Sequence, residues 1–178
     1  MVDCNIPPER ADPTKNLQPV TTTKQPDSCM YLHLIESDST GLDLVLSTQP
    51  DNVSEEFPGK WAMLEEFVRD DEAQSWFYNA QDGSISNKAN PDYKLETQNG
   101  WLYVADLSCK KKPEGFPTSP RKWFYEAAGA LTTVTDGVKT MAGIWGQPKA
   151  WAMAENGPYE ALSGGPSGKW RVEYCYLR

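Results

Sequence analysis

From Tyr31 onward, the chain alternates short runs of aromatic and β-branched residues with clusters of Gly, Pro, Asn and Asp. Short apolar runs separated by turn-forming residues are typical of β-strands joined by tight turns. One stretch, residues 61–76, is ambiguous, because its apolar residues at 61, 63, 64, 67 and 68 fit a helix as well as a strand. The pattern therefore predicts a mostly β protein with one segment still to be assigned.

Tryptophans recur along the chain at a fixed interval. Trp76, Trp123 and Trp170 are spaced 47 residues apart, and the first two open the similar sequences Trp-Phe-Tyr-Asn-Ala and Trp-Phe-Tyr-Glu-Ala. A second tryptophan precedes each of them, in the order Trp61, Trp101 and Trp151. Paired tryptophans in the same order indicate a threefold internal repeat. The repeat also favours a strand over residues 61–64, followed by an acidic loop.

Three copies of about 47 residues, each with roughly four short strands, bury their aromatic faces only by closing around a common axis. We therefore predict an all-β fold, a β-trefoil, over residues 29–178. Residues 1–28 contain five prolines and almost no apolar periodicity. This composition predicts an extended Pro-rich arm ahead of the trefoil domain.

The order of motifs within each copy resembles that of the ricin-type lectins: a leucine-acidic strand, an apolar strand, a Q-x-W strand, then a turn and an aliphatic residue. The resemblance covers residues 31–178, and the Q-x-W signature is intact in the first copy only. The first copy reads Leu42-Asp43-Leu44, Trp61-Ala62-Met63-Leu64, Gln74-Ser75-Trp76 and Gly83-Ser84-Ile85. The second reads Leu95-Glu96, Leu102-Tyr103-Val104, Arg121-Lys122-Trp123 and Gly129-Ala130-Leu131.

The resemblance implies a sugar pocket in the first copy. Asp43 matches the acidic position and Gln74 the glutamine of Q-x-W, while Phe67 is the nearest candidate for the aromatic wall. Ala73 stands where the family often has Asn. A carboxylate and an amide would bind adjacent hydroxyls, and an aromatic face would cover the C–H side of the sugar ring. Asp43 could equally be a turn residue, and Gln74 a support of the fold.

Three further residues are weaker candidates. The second copy offers the acidic side chains of Glu96 and Asp106. Trp145, flanked by glycines outside the repeat, is interpreted either as a lid over the barrel or as an exposed stacking platform. The resemblance thus implies a non-catalytic carbohydrate-binding protein whose partner is a glycan or a glycoprotein.

A protein-binding function is the alternative. Trefoils of this size with four cysteines also occur in the soybean-trypsin-inhibitor-like family, which blocks proteases with one protruding loop. Residues 117–122 form a basic loop stiffened by prolines, with Arg121 as the candidate inhibitory residue. Stiffening lowers the entropic cost of entering a protease cleft. An effector or toxin subunit that binds another protein is the third possibility.

Charge and composition exclude several other classes. The net charge is −8 and the isoelectric point about 4.7, the opposite of what binding to nucleic acid needs. No apolar run approaches the roughly 18 residues of a membrane span, so we expect a soluble protein. His33 is the one histidine, in the apolar run Tyr31–Ile35, and we interpret it as a strand residue and not a catalytic base. With no phosphate-binding glycine motif and scattered cysteines, we predict no enzyme, cofactor or metal.

The chain has four cysteines, Cys4, Cys29, Cys109 and Cys175, which is compatible with two disulfides. The first residues lack the features of a signal peptide, yet we expect secretion of a mature chain, supported by the sequon at Asn52 in a predicted polar loop. We favour Cys4–Cys29 with Cys109–Cys175. In the alternative, Cys29 pairs with Cys175 and ties the first strand to the last.

Overall fold

The structure is a computed structural model that describes residues 29–35, 42–54, 57–98, 101–110, 112–126, 129–133, 139–145, 150–156 and 168–175. Within these residues the chain forms twelve strands and one short 3₁₀ turn, Glu72–Gln74. No helix in these ranges has the length and hydropathy that crossing a bilayer requires. The strands are β1 Met30–Leu34, β2 Leu44–Ser54, β3 Phe57–Glu66, β4 Trp76–Tyr78, β5 Ile85–Asn87, β6 Asn90–Gln98, β7 Trp101–Asp106, β8 Phe124–Tyr125, β9 Leu131–Thr133, β10 Lys139–Trp145, β11 Ala150–Asn156 and β12 Trp170–Tyr174.

The ambiguous segment is a strand. Residues 61–64 lie inside β3, and the acidic stretch that follows forms a loop that ends in the 3₁₀ turn. The all-β prediction is therefore confirmed for the described residues. The predicted arm, residues 1–28, lies outside them.

The twelve strands fall into three groups of four consecutive strands, each with a hairpin at its centre. In each group the second and third strands form a hairpin: β2–β3, β6–β7 and β10–β11. The remaining strands pair around the barrel, including β1–β4, β4–β5, β8–β9 and β1–β12. The last of these pairs joins the first strand to the final one.

The second strands of the three hairpins are β3, β7 and β11. Each of them pairs with the other two, so that the three form a closed triangle. In each pair of neighbouring strands, the tryptophan of one strand lies opposite the residue that comes two positions after the tryptophan of the other. The three register pairs are Trp61 with Tyr103, Trp101 with Met153, and Trp151 with Met63. This cyclic register makes the three upstream tryptophans equivalent, as the repeat predicted.

Trp76, Trp123 and Trp170 are completely buried in the main hydrophobic core. Each indole N–H donates a hydrogen bond to a backbone carbonyl of the same copy's first hairpin strand, because a buried indole needs an acceptor. The distances to the carbonyls of Leu46, Leu95 and Met141 are 3.0, 3.3 and 3.0 Å. The predicted equivalence of these three tryptophans is confirmed.

Tyrosines join neighbouring copies. The hydroxyl of Tyr78 donates to the carbonyl of Trp123 at 3.0 Å, and that of Tyr125 donates to the carbonyl of Trp170 at 2.9 Å. The third copy has Val172 at this position and lacks the hydroxyl. The copies are therefore linked by side chain to backbone bonds as well as by strand pairing.

The two turn glycines of the repeat are required by their backbone conformation. Gly83 and Gly129 have φ angles of +73° and +96°, which disfavour residues with a Cβ. Their carbonyls accept the backbone N–H groups of Trp123 and Trp170, each at 2.8 Å. Each turn thus fixes the start of the next tryptophan strand.

One disulfide joins Cys29 to Cys175, with 5.3 Å between their Cα atoms. The preferred pairing of Cys4 with Cys29 and Cys109 with Cys175 is therefore wrong. Cys29 precedes β1 and Cys175 follows β12, and the pairing of these two strands brings the cysteines side by side. Cys109 is also disulfide-bonded, whereas Cys4 lies outside the described residues.

Replacing a barrel tryptophan tests the core. We expect Trp76→Ala to lower the free energy of unfolding by about 3–5 kcal/mol, because it leaves a large cavity and removes the hydrogen bond to the Leu46 carbonyl. Urea unfolding followed by circular dichroism gives the value. Trp101→Ala is the matched control, since that side chain is 37% exposed and the loss should be less than half as large. Equal losses for the two variants would contradict the assigned core.

Removing the Cys29–Cys175 disulfide tests how far the pairing of β1 with β12 depends on it. The disulfide spans a sequence separation of 146 residues, and cross-linking such a long loop restricts the unfolded chain. We expect the double variant Cys29→Ala/Cys175→Ala to lose about 2–5 kcal/mol in urea unfolding. An unchanged midpoint in the double variant would show that β1 and β12 hold together without it.

Candidate functional site

Asp43 and Phe67 lie side by side at the open end of the first copy. Asp43 immediately precedes β2, and its backbone carbonyl accepts the N–H of Phe67, which follows β3, at 2.9 Å. The Asp43 side chain is 52% exposed, and its Oδ1 lies 2.8 Å from Nδ1 of His33. Among the described residues, Oδ2 has no hydrogen-bond partner. The second carboxylate oxygen is therefore available to a ligand.

His33 joins Asp43 to a second carboxylate. It is buried in β1, and its Nε2 lies 2.8 Å from Oε1 of Glu173 on the adjacent strand β12. A protonated ring nitrogen donates and a deprotonated one can only accept, so both carboxylates are satisfied when the ring carries both protons. Because each nitrogen faces a carboxylate, neither is free to take a proton from a substrate. The arrangement positions Asp43 and does not suit general base catalysis.

Glu173 extends the network to Arg69. Oε2 of Glu173 accepts a hydrogen bond from the Arg69 guanidinium at 2.7 Å. This bond lowers the pKa of Glu173 against an opposing effect of burial, and the hydrogen bond to His33 lowers it further. The same contact raises the pKa of Arg69. The four side chains, Asp43, His33, Glu173 and Arg69, will be called the bridge.

An aromatic cluster lies against the bridge. The half-buried Phe67 ring is 4.8 Å from the Tyr31 ring and 4.9 Å from the His33 ring, centroid to centroid. The Arg69 guanidinium carbon lies 5.2 Å from the Phe67 centroid, within the range of a cation–π contact. The Tyr31 hydroxyl accepts the N–H of Asp70, whose φ is +71°. Tyr31 thus holds the loop that carries Phe67 and Arg69.

Gln74 lies behind this loop and supports it. Its side-chain oxygen accepts the N–H of Val68 at 2.8 Å, and its side-chain nitrogen donates to the carbonyl of Glu66 at 2.9 Å. The side chain is almost completely buried. Gln74 therefore holds Phe67 in place by bonding to the residues on either side of it.

The second copy places different residues at the corresponding positions. Asp92 lies three residues before Leu95, as Asp43 lies three before Leu46, and its carbonyl accepts the N–H of Leu107. Asp92, not Glu96, is therefore the counterpart of Asp43, which corrects the assignment of Leu95-Glu96. Leu107 replaces the aromatic ring of Phe67, so the second copy lacks an aromatic wall.

Glu96 and Arg121 form a buried ion pair in the second copy, with 2.6 Å between Nε of Arg121 and Oε1 of Glu96. Arg121 stands at the position of Gln74 but cannot accept a hydrogen bond. The N–H of Ser108 instead bonds to Oδ1 of Asp106 at 3.1 Å. Neither acidic candidate of the second copy is therefore open to a ligand.

The buried ion pair also bears on the inhibitor alternative. Arg121 is 7% exposed, so the expectation of a basic residue on a protruding loop is wrong. The pair with Glu96 turns the guanidinium inward. Arg121 cannot enter a protease cleft without breaking its ion pair with the buried Glu96 carboxylate.

Two remaining candidates fall on strands. Trp145 ends β10 opposite Ala150, and its side chain lies outside the described residues. Asn52 lies in β2 opposite Lys60 at a register shift, so its expected position in a polar loop is wrong.

Sequence reasoning missed three members of the bridge. His33 was interpreted as an ordinary strand residue, and Arg69 and Glu173 were not singled out. The position of Arg69, two residues beyond Phe67, was a weak signal in the sequence. Glu173 is 140 residues from His33, and no sequence pattern indicated that the two would meet. The described residues contain no group of three His, Cys, Asp or Glu side chains suited to a metal ion. The site offers one open carboxylate, one guanidinium and an aromatic ring.

Comparison with solved structures identifies the fold. The β-trefoil lectin of the Vibrio vulnificus hemolysin/cytolysin superposes with a TM-score of 0.56 at 15% identity, covering 85% of this chain and 97% of that one. The chain is a β-trefoil. The C-terminal domain of an earthworm lectin gives a TM-score of 0.57 at 17% identity, covering 83% and 99%. No protein-family model and no curated protein sequence matches this trefoil.

The pH dependence of stability tests the bridge. Because the folded pKa of Glu173 is lowered, its stabilising effect is complete above the ordinary value of 4.5 and is lost as the pH falls through the folded pKa. We expect the free energy of unfolding to fall more steeply below pH 4.5 in the wild type than in Glu173→Gln.

Glu126→Gln is the matched control, because Glu126 occupies the corresponding place and accepts a hydrogen bond from the neutral hydroxyl of Thr132. Substituting Glu126 should change the acid slope less than substituting Glu173. Identical slopes in the wild type and in Glu173→Gln would show that the ion pair with Arg69 does not stabilise the fold.

Proposed function

We propose that this trefoil is a non-catalytic, ricin-type carbohydrate-binding protein and that its first copy carries the sugar site. The observation that carries the proposal is the Asp43 carboxylate. It is half exposed and anchored by buried His33, whose ring lies 4.9 Å from the Phe67 ring, and the backbones of Asp43 and Phe67 are hydrogen-bonded. An anchored carboxylate next to an aromatic ring suits a pyranose.

The chemistry of sugar recognition supports this assignment. Asp43 can accept hydrogen bonds from two hydroxyls through Oδ2, while Oδ1 stays on His33. Phe67 presents an apolar surface to the C–H face of the ring. Gln74 does not contact the sugar in this proposal, because both ends of its amide bond to the backbone.

The structural neighbours support a glycan as the ligand. The Vibrio vulnificus lectin has N-acetyl-D-lactosamine bound, and the earthworm lectin domain is a mutant in complex with 6'-sialyllactose. The partner of this chain is then a free glycan or the glycan of a glycoprotein. A role without catalysis agrees with His33, whose nitrogens both face carboxylates.

Secretion is part of the proposal. Cys29, Cys109 and Cys175 are disulfide-bonded. Disulfides persist in oxidising compartments and are rare in the cytosol. A glycan-binding protein of the cell exterior would meet its ligands there.

Substitution of Asp43 tests the site. We expect Asp43→Ala to weaken glycan binding about tenfold to a hundredfold, because hydrogen bonds to a charged group contribute about 1.5–3 kcal/mol. Asp43→Asn keeps an acceptor for His33 and should weaken binding by a similar factor. The melting temperature should change little in Asp43→Asn, whereas Asp43→Ala also leaves Nδ1 of the buried His33 without its partner and should lower it. Titration calorimetry and thermal unfolding supply the two measurements.

Asp92→Ala is the matched control, because Asp92 holds the corresponding position in the copy without an aromatic wall. The Asp92→Ala variant should bind the glycan with the same affinity as the wild type. If Asp92→Ala abolished binding while Asp43→Ala did not, the site would lie in the second copy.

A glycan array and a protease panel on the full chain separate the classes of function. Binding to galactose-, glucosamine- or mannose-type ligands is expected, with no protease inhibited. Inhibition of a protease with no glycan bound would make the protein-binding alternative correct.

A further inference from the structure

The proposed sugar site needs a hydrogen-bond donor that Asp43 cannot supply. Sugar hydroxyls accept as well as donate, and an ionised carboxylate only accepts. Ala73 has no polar side chain, and the amide of Gln74 is fully engaged with Val68 and Glu66. A hydroxyl oxygen in the site would therefore lack a partner unless another side chain donates to it.

Arg69 is placed to be that donor. Its side chain is 53% exposed, and its guanidinium carbon lies 5.2 Å from the Phe67 centroid and 5.7 Å from the Tyr31 centroid. A guanidinium carries five N–H groups in one plane. Among the described residues, it uses one nitrogen, Nη2, to bond Glu173. The others can reach a ligand at the edge of the aromatic wall.

The bridge holds Arg69 and Asp43 at fixed places on either side of His33. Glu173 contacts Arg69 at 2.7 Å and His33 at 2.8 Å, and His33 contacts Asp43 at 2.8 Å. An acceptor and a donor are thus anchored to one buried ring, and Phe67 contacts that ring and the guanidinium. This preorganisation lowers the entropic cost of binding a pair of hydroxyls.

The charges around the site disfavour an acidic sugar. The positive charge of Arg69 is balanced by Glu173. Asp43 adds a second carboxylate to the bridge, and Asp70 and Asp71 follow Arg69 directly in the chain. A sugar carboxylate would meet like charges here, which raises its cost of binding.

We propose that Arg69 is the hydroxyl-binding donor of this site and that its pairing with Glu173 restricts the site to uncharged sugars. The inference rests on the proposed function and specifies which class of glycan the site accepts. It makes Arg69 a specificity-determining residue and gives Glu173 the role of a positioning residue.

Substitution of Arg69 tests the donor. Arg69→Met keeps an apolar stem over Phe67 and removes every N–H, so we expect about a tenfold to hundredfold loss of affinity for a neutral sugar. Arg69→Lys keeps a charged donor and should recover part of the loss. Lys122→Met is the control, because Lys122 lies over the Phe124 ring at 5.9 Å in the second copy. It should bind as the wild type does, and melting temperatures should stay close in all three variants.

A pair of ligands tests the charge selection. Galactose and galacturonic acid differ at C6 only, as do glucose and glucuronic acid, and the pair whose neutral member binds is used. We expect the acid to bind the wild type at least tenfold more weakly than the neutral sugar. The gap should narrow at high salt, where like-charge repulsion is screened, and in Glu173→Gln, which leaves the positive charge of Arg69 unbalanced.

The outcomes separate this inference from the proposed function. If no sugar on the array binds the wild type, both are wrong. If Asp43→Asn weakens binding but Arg69→Met does not, the sugar site stands and the role of Arg69 is wrong. If the acid binds better than the neutral sugar and Arg69→Met removes that advantage, Arg69 binds anions and the selection for uncharged sugars is wrong.

Discussion

The fold depends on three buried indole N–H groups, each of which needs an acceptor within the core. Trp76, Trp123 and Trp170 find one in a hairpin carbonyl of their own copy, at 3.0, 3.3 and 3.0 Å. Leaving such a donor unpartnered in the interior would cost about 1–3 kcal/mol. The bond therefore fixes how each hairpin sits on the barrel. Because the constraint is the same three times, the hairpins meet in a closed triangle of strands.

The candidate site arises where the copies differ. His33, Ser86 and Thr132 hold equivalent positions in the three copies. Each lies opposite the residue that directly follows one of the buried tryptophans, on the neighbouring strand. The two ring nitrogens of an imidazole lie on different edges of the ring, so each can bond a separate carboxylate. The second copy has its buried ion pair elsewhere, with Arg121 at the position of Gln74 and bonded to Glu96. The three copies thus share one backbone framework, and the candidate site lies where the side chains of the first copy differ from those of the others.

Much of the fold was predictable because its signals are periodic. The tryptophan interval predicted the equivalent core positions and assigned residues 61–64 to a strand. The ricin-type resemblance predicted Asp43 and Phe67 as parts of one site, and the structure brings their backbones together. The residue before β2 and the residue after β3 meet at the end of one hairpin. The alignment of the second copy with the first was not predictable. Leu95-Glu96 has the same leucine-acidic pattern as Leu42-Asp43, although the true counterpart of Asp43 is Asp92, three residues before Leu95.

The sequence by itself determined the all-β class, the threefold repeat and the place of the buried tryptophans, because each follows from local periodicity and from the need to bury aromatic surface. Only the tertiary structure decided the pairing of Cys29 with Cys175, the burial of Arg121 and the bridge from Asp43 through His33 and Glu173 to Arg69. These contacts join β1 to β12 or neighbouring loops to the core. Partners far apart in the chain meet through barrel closure, and no local pattern of residue types encodes which side chains then face one another.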